Sequence, residues 1–201
     1  PIHEVQGSDL EWALDPLEHL ADELGAHVVV DLLPPEVGGY FEPATENQIV
    51  EFNGRKIGVT ICEDVWNDED FWHDRRYRRN PAADLAAADA TVLFNVSASP
   101  WSLGKNTTRR EMLGSLAAKT RCPLLYCNLA GGNDELVFDG ASLVFDAQGR
   151  LAAQGALFAE DFVVVDTAKL VPGAPAIVAD EEQVYRALVR SEEHTSELQS
   201  H

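Results

Sequence analysis

The chain has 201 residues, 45% hydrophobic content and a formal charge of −19. That size and apolar content suit one domain with a proper core, while the acidic balance repels phosphates and excludes a nucleic-acid-binding face. No run approaches the roughly 18 apolar residues of a bilayer span and no signal-peptide pattern is present, so a soluble protein without a membrane partner is expected.

Cys62, Cys122 and Cys127 are an odd number of cysteines without CxxC spacing. They make no disulfide framework and no zinc-like Cys/His ladder, so no metal site is expected and the usage fits a reducing cytoplasm. Arg75, Arg76, Arg78 and Arg79 form a short basic cluster, but Asp68, Glu69, Asp70 and Asp74 precede it, which reads as a solvated surface.

In chain order, residues 16–24 have a helical pattern ended by Gly25, and Val28-Val29-Val30 reads as a short buried strand. Residues 48–52 and 55–61 are β-like runs joined by Asn53-Gly54, the strongest short hairpin signal. The second run ends directly in Cys62-Glu63-Asp64. A strand that delivers a cysteine into a turn presents a nucleophile rigidly and leaves backbone N–H groups free to face an oxyanion. Residues 90–96 form another apolar run, followed by a polar loop and a helix toward Lys119 that Thr107 or Thr108 could cap. Residues 123–128 read as a third strand, leading into a loop over 130–135. Residues 142–145 and 151–154 predict a hairpin around a type I turn at Asp146-Ala147-Gln148-Gly149, and residues 162–165 a last strand. Cys122 and Cys127 read as packing residues. Strand–helix–strand units with polar strand ends predict an α/β fold with a site at one sheet edge.

At these residues the sequence resembles the glutamine-hydrolysing, nitrilase-like domain of glutamine-dependent NAD synthetases. The resemblance rests on five segments: Tyr40-Phe41-Glu42-Pro43, Gly58-Val59-Thr60-Ile61-Cys62-Glu63-Asp64-Val65-Trp66, Asn95-Val96-Ser97-Ala98-Ser99-Pro100 with Gly104-Lys105, Tyr126-Cys127-Asn128-Leu129-Ala130-Gly131-Gly132-Asn133-Asp134-Glu135-Leu136-Val137-Phe138-Asp139-Gly140, and Val184-Tyr185-Arg186-Ala187-Leu188-Val189. It implies an α-β-β-α sandwich, here incomplete at its N-terminal side, over residues 1–176, with residues 1–40 irregular. Residues 177–190 would lead toward a synthetase domain. Residues 191–201 have no apolar periodicity and read as a translated sequencing adapter.

The resemblance further implies a Glu–Lys–Cys triad acting on the amide of L-glutamine, with Cys62 as nucleophile and Ser99 and Lys105 holding the amino-acid end of the substrate. No cofactor is implied in this domain; ATP and magnesium belong to the synthetase domain, and homo-oligomers are expected. The triad Glu has two readings. Either Glu36 is the base and the lysine segment is missing, or residues 32–43 follow the lysine position and the Glu is absent. No lysine precedes Lys56 on either reading. Little or no glutaminase activity is therefore expected of this chain, because oxyanion stabilisation of about 3 kcal/mol is lost. The rival readings are another amidase or nitrilase, a non-catalytic degenerate module, and a damaged fragment whose function is that of its parent.

Overall fold

The computed structural model describes residues 49–66, 79–133 and 135–199, the last seven as backbone only. The expected helix at 16–24, the strand at 28–30, Glu36 and most of the arginine cluster lie outside the described residues.

A six-stranded mixed sheet runs in the order β1 (Ile49–Phe52), β2 (Arg55–Ile61), β3 (Val92–Ser97), β4 (Leu124–Asn128), β7 (Leu143–Phe145), β8 (Leu151–Gln154). β1 and β2 form the expected hairpin. Asn53 and Gly54 take φ of 48° and 73° at its turn, which is what Asn-Gly permits. β2, β3 and β4 are parallel neighbours. The connections between them carry helices α1 (Pro81–Ala87) and α2 (Lys105–Thr120). β7 and β8 complete the sheet as a hairpin. Asp146 closes its turn, accepting the N–H groups of Gln148 and Arg150 on its side chain.

Period-two alternation divides the sheet into two faces. In the observed register Gly58, Leu93, Leu124 and Phe145 align across four strands, as do Thr60, Asn95, Tyr126 and Leu143. This face lies under the helices, where Leu85, Met112, Leu113 and Leu116 complete the core. Glycines bring the helix layer close. A side chain on Gly58 would press against Leu85 of α1, and one on Gly149 would collide with the carbonyl of Gly114 in α2. The opposite face carries Phe94, Val96, Leu125 and Cys127 along an open apolar trough.

Five expectations change. α2 begins at Lys105 behind Gly104, whose φ of 81° turns the chain into the helix; neither Thr107 nor Thr108 caps it. Residues 130–133 are not loop but β5 (Ala130–Asn133), paired with β6 (Leu136–Asp139). Two glycines hide its alternation. Residues 162–165 form no strand, and Phe162 and Val164 are exposed; a β-run needs a pairing partner, and it has none among the described residues. Cys127 is exposed, not packed: the strand's alternation turns it away from the face that buries Tyr126 and Asn128. α3 (Asp180–Gln199) lies against β5 and β6 and continues through residues 191–199, past the expected end at Arg190.

Candidate active site

On the helix-covered face of the sheet, side chains change character along the strands. They are apolar at Gly58, Leu93 and Leu124, mixed at Thr60, Asn95 and Tyr126, and polar at Ser97 and Asn128, which pair across β3 and β4. Polar groups thus collect at the carboxyl ends of parallel strands, where open α/β sheets hold their sites.

Cys62 follows β2 at this edge and opens a short 3-10 turn, Cys62–Val65. Its φ of 44° is left-handed, uncommon for a residue with a side chain and characteristic of strained functional turns. Two contacts hold the turn. The Asp64 carboxylate accepts the N–H of Ile61 at 2.8 Å, and the Asn95 amide reaches the Cys62 carbonyl at 3.4 Å and Thr60 Oγ1 at 3.1 Å. Burial pushes the Cys62 thiol above its ordinary value and the nearby Glu63 charge adds to this. The Ser97 hydroxyl and the backbone N–H groups of Ala98 and Glu63 favour the thiolate and partly offset it. The Ser97 hydroxyl makes no well-formed hydrogen bond, so its effect on the sulfur is one of proximity.

Lys105, the first residue of α2, meets this turn. Its ammonium donates to the Pro100 carbonyl at 2.8 Å and lies 5.5 Å from the ring centre of Trp66, directly after the Cys62 turn. Burial and the charge of Arg109 lower its pKa, while Asp139, Cys62 and Glu63 raise it. The structure therefore brings Lys105 and Cys62 to one edge. Ser99 is placed differently: it is 3% exposed, and its hydroxyl contacts Arg109 at 3.4 Å. Its N–H donates to Asn128 at 2.9 Å. It braces the loop from within.

Arg109 was not singled out from the sequence, and Asn128 and Asp139 were quoted there only as part of the resemblance, without a role. Arg109 and Asp139 form an ion pair at 3.1 Å with no side-chain exposure on either partner. Asn128 donates to Asp139 at 3.2 Å and accepts from Tyr126 at 3.2 Å. Burial raises the Tyr126 phenol's pKa against the pull of Arg109. Among the described residues, buried polar atoms without hydrogen-bond partners cluster here, on Asn95, Ser97, Trp101, Asn106 and Arg109. No group of three or more His, Cys, Asp or Glu among the described residues could hold a metal ion, and no helix among them is long and apolar enough to cross a membrane.

Residues 19–171 match the carbon-nitrogen hydrolase family. A glutamine-dependent NAD(+) synthetase of Synechocystis is 37% identical over 158 residues, which are 75% of this chain and 28% of that protein. Another, from Thermotoga maritima, is 41% identical over 128 residues, 63% of this chain and 20% of that protein. The chain thus spans less than a third of the length of these curated relatives. Among solved structures, the glutamine-dependent NAD+ synthetase of Acinetobacter baumannii superposes with a TM-score of 0.63 at 30% identity, over 75% of this chain and 28% of that one. A nitrilase-superfamily amidase of Nesterenkonia gives 0.52 at 23% identity, over 65% and 45%, and shares the fold. With the matched region covering most of the described sheet, the chain belongs to the carbon-nitrogen hydrolase family and has the nitrilase-superfamily α/β fold.

Proposed function

We propose that this chain is the glutamine-hydrolysing part of a glutamine-dependent NAD synthetase, with Cys62 as nucleophile. The observation that carries the reading is the left-handed cysteine at the carboxyl end of β2, with the Lys105 cation beside its turn. The names of the NAD synthetase relatives support glutamine as the amide. In this chemistry the sulfur attacks the side-chain carboxamide carbon, and the tetrahedral adduct expels ammonia and leaves a thioester. Water then cleaves the thioester to glutamate and restores the thiol. Lys105 receives the substrate's α-carboxylate, and Ser99 keeps the loop beneath it in shape. Glu36 is the base on one of the two readings of the N-terminal segment. In the parent enzyme the ammonia passes to a synthetase domain that uses ATP and magnesium, in a homo-oligomer of the cytoplasm.

The absence of any lysine before Lys56 supports an impaired site in the chain as it stands, and it favours a degenerate, non-catalytic module as the second reading. A diazoketone analogue of glutamine, which alkylates sulfur with loss of N2, tests the site without requiring turnover. Peptide mass spectrometry is expected to find the label on Cys62, protected by glutamine and absent in Cys62→Ala. Label confined to Cys127, or unaffected by glutamine, sinks the assignment. Preference for a simple aliphatic amide over glutamine as protectant would favour another amidase.

A further inference from the structure

Resting on the glutamine reading, we infer that Arg109, locked by Asp139, is the positioning residue that sets the loop and cation receiving the amino-acid end of the substrate.

The pair joins two elements distant in sequence, the first turns of α2 and the end of β6. Asp139 accepts both 3.1 Å contacts from Arg109 Nη1, one from Asn128 at 3.2 Å and one from Asn106 at 3.4 Å. Its oxygens are thereby spent inside the protein. A buried ion pair is weak evidence for stability, since well-packed apolar residues often serve as well. Its geometry here has a directional consequence. Arg109 Nη2 reaches the Ser99 hydroxyl, while Asn128, itself held by Asp139, takes the Ser99 N–H. Ser99 is thus gripped by side chain and backbone from partners that share one carboxylate. The Tyr126 ring, 5.5 Å from the guanidinium carbon, closes the other side.

The same pair fixes the cation. Lys105 lies one helical turn before Arg109, on the same side of α2. Holding Arg109 therefore sets the rotation that points the Lys105 ammonium toward Pro100 and Trp66. The Arg109 charge is matched by Asp139, whereas the Lys105 cation at the first position of α2 opposes the helix dipole. An anion docking on Lys105 relieves that. The α-carboxylate of a free amino acid supplies that anion, and a simple aliphatic amide does not.

The test compares two reagents on Cys62 of the full chain, the glutamine-like diazoketone and iodoacetamide. Arg109→Lys keeps the charge but loses the fork that spans Asp139 and Ser99. It is expected to slow diazoketone labelling about tenfold through a weaker saturation constant, the size of one lost charge-assisted contact, with iodoacetamide changed less than about twofold. Ser99→Ala should move the same ratio in the same direction, and the double variant should be no worse than Arg109→Lys. An unchanged ratio in a folded Arg109→Lys chain overturns the inference. If that variant does not fold, Ser99→Ala decides by the same criterion. A wild-type chain that shows no saturable preference for the diazoketone instead defeats the glutamine reading, and this inference with it.

Discussion

The carboxylate of Asp64 accepts the backbone N–H of Ile61 at 2.8 Å, a bond that spans Cys62 and closes its turn. Burial lifts this carboxyl from its ordinary 3.8 to about 6, against the opposing effect of the Ile61 N–H. Because the folded value lies above the unfolded one, the folded chain binds the extra proton. The group's contribution to stability is greatest below about pH 4 and is lost as pH rises to about 6. Asp64→Asn keeps an acceptor oxygen for Ile61 but cannot ionise. The melting temperature of the variant relative to wild type is therefore expected to rise between pH 4 and pH 7. A difference that stays flat with pH would contradict the buried carboxyl.

The thiol itself gives a second pH signature. Burial holds Cys62 above its ordinary 9.0, so the thiolate is a minor species at neutral pH. Iodoacetamide is expected to modify exposed Cys127 first at pH 7, with Cys62 reacting slowly and accelerating through pH 9 without a plateau. Peptide mass spectrometry across a pH series separates the two sites. A plateau for Cys62 near pH 7 would show that a base or cation beyond the described residues activates the sulfur.

Much of this arrangement is legible before the fold is known. Asn53-Gly54 fixes a hairpin because few dipeptides tolerate two positive φ values, and the apolar runs around Leu93 and Leu124 mark strands buried beneath helices. Cys62 stands out because an apolar strand stops exactly one residue earlier. The Arg109 assembly was hidden by residue type. Asn106, Arg109, Leu113 and Leu116 occupy one helical face, and all four are buried, but a polar first turn reads as solvent-facing unless its partner is known. That partner, Asp139, arrives only after β5 and β6 form, and glycines mask the first of these strands. The run at 162–165 illustrates the opposite failure. Its composition favours a strand, yet composition cannot supply the neighbouring edge that pairing requires.

Gly149 lies at the turn between β7 and β8 with φ of 78°, and a Cβ there would overlap the Gly114 carbonyl. Both obstacles are backbone, so neither can rotate away. Gly149→Ala is expected to cost about 2–4 kcal/mol, combining left-handed strain with overpacking. At this chain length that corresponds to a melting temperature lower by about 4–16 °C. A thermal melt within about 2 °C of wild type would mean that the helix and hairpin separate easily, contrary to the packing seen.

Asn95 is fully buried, and its amide donates to the Cys62 carbonyl at 3.4 Å. Asn95→Asp retains the shape but replaces that donor with a buried carboxylate facing two oxygens, those of Thr60 and Cys62. Desolvation should raise the new carboxyl's pKa well above the usual range. At neutral pH the charge is unpaired, and a loss of about 3 kcal/mol is expected. Below the raised pKa the protonated acid donates again, so stability relative to wild type should recover on acidification. Chemical denaturation at pH 5 and pH 7.5 measures the recovery. The diazoketone should report the same titration, with Cys62 labelling restored as the acid regains its proton. Equal destabilisation at both pH values would show that the Asn95 amide does not hold the nucleophile turn.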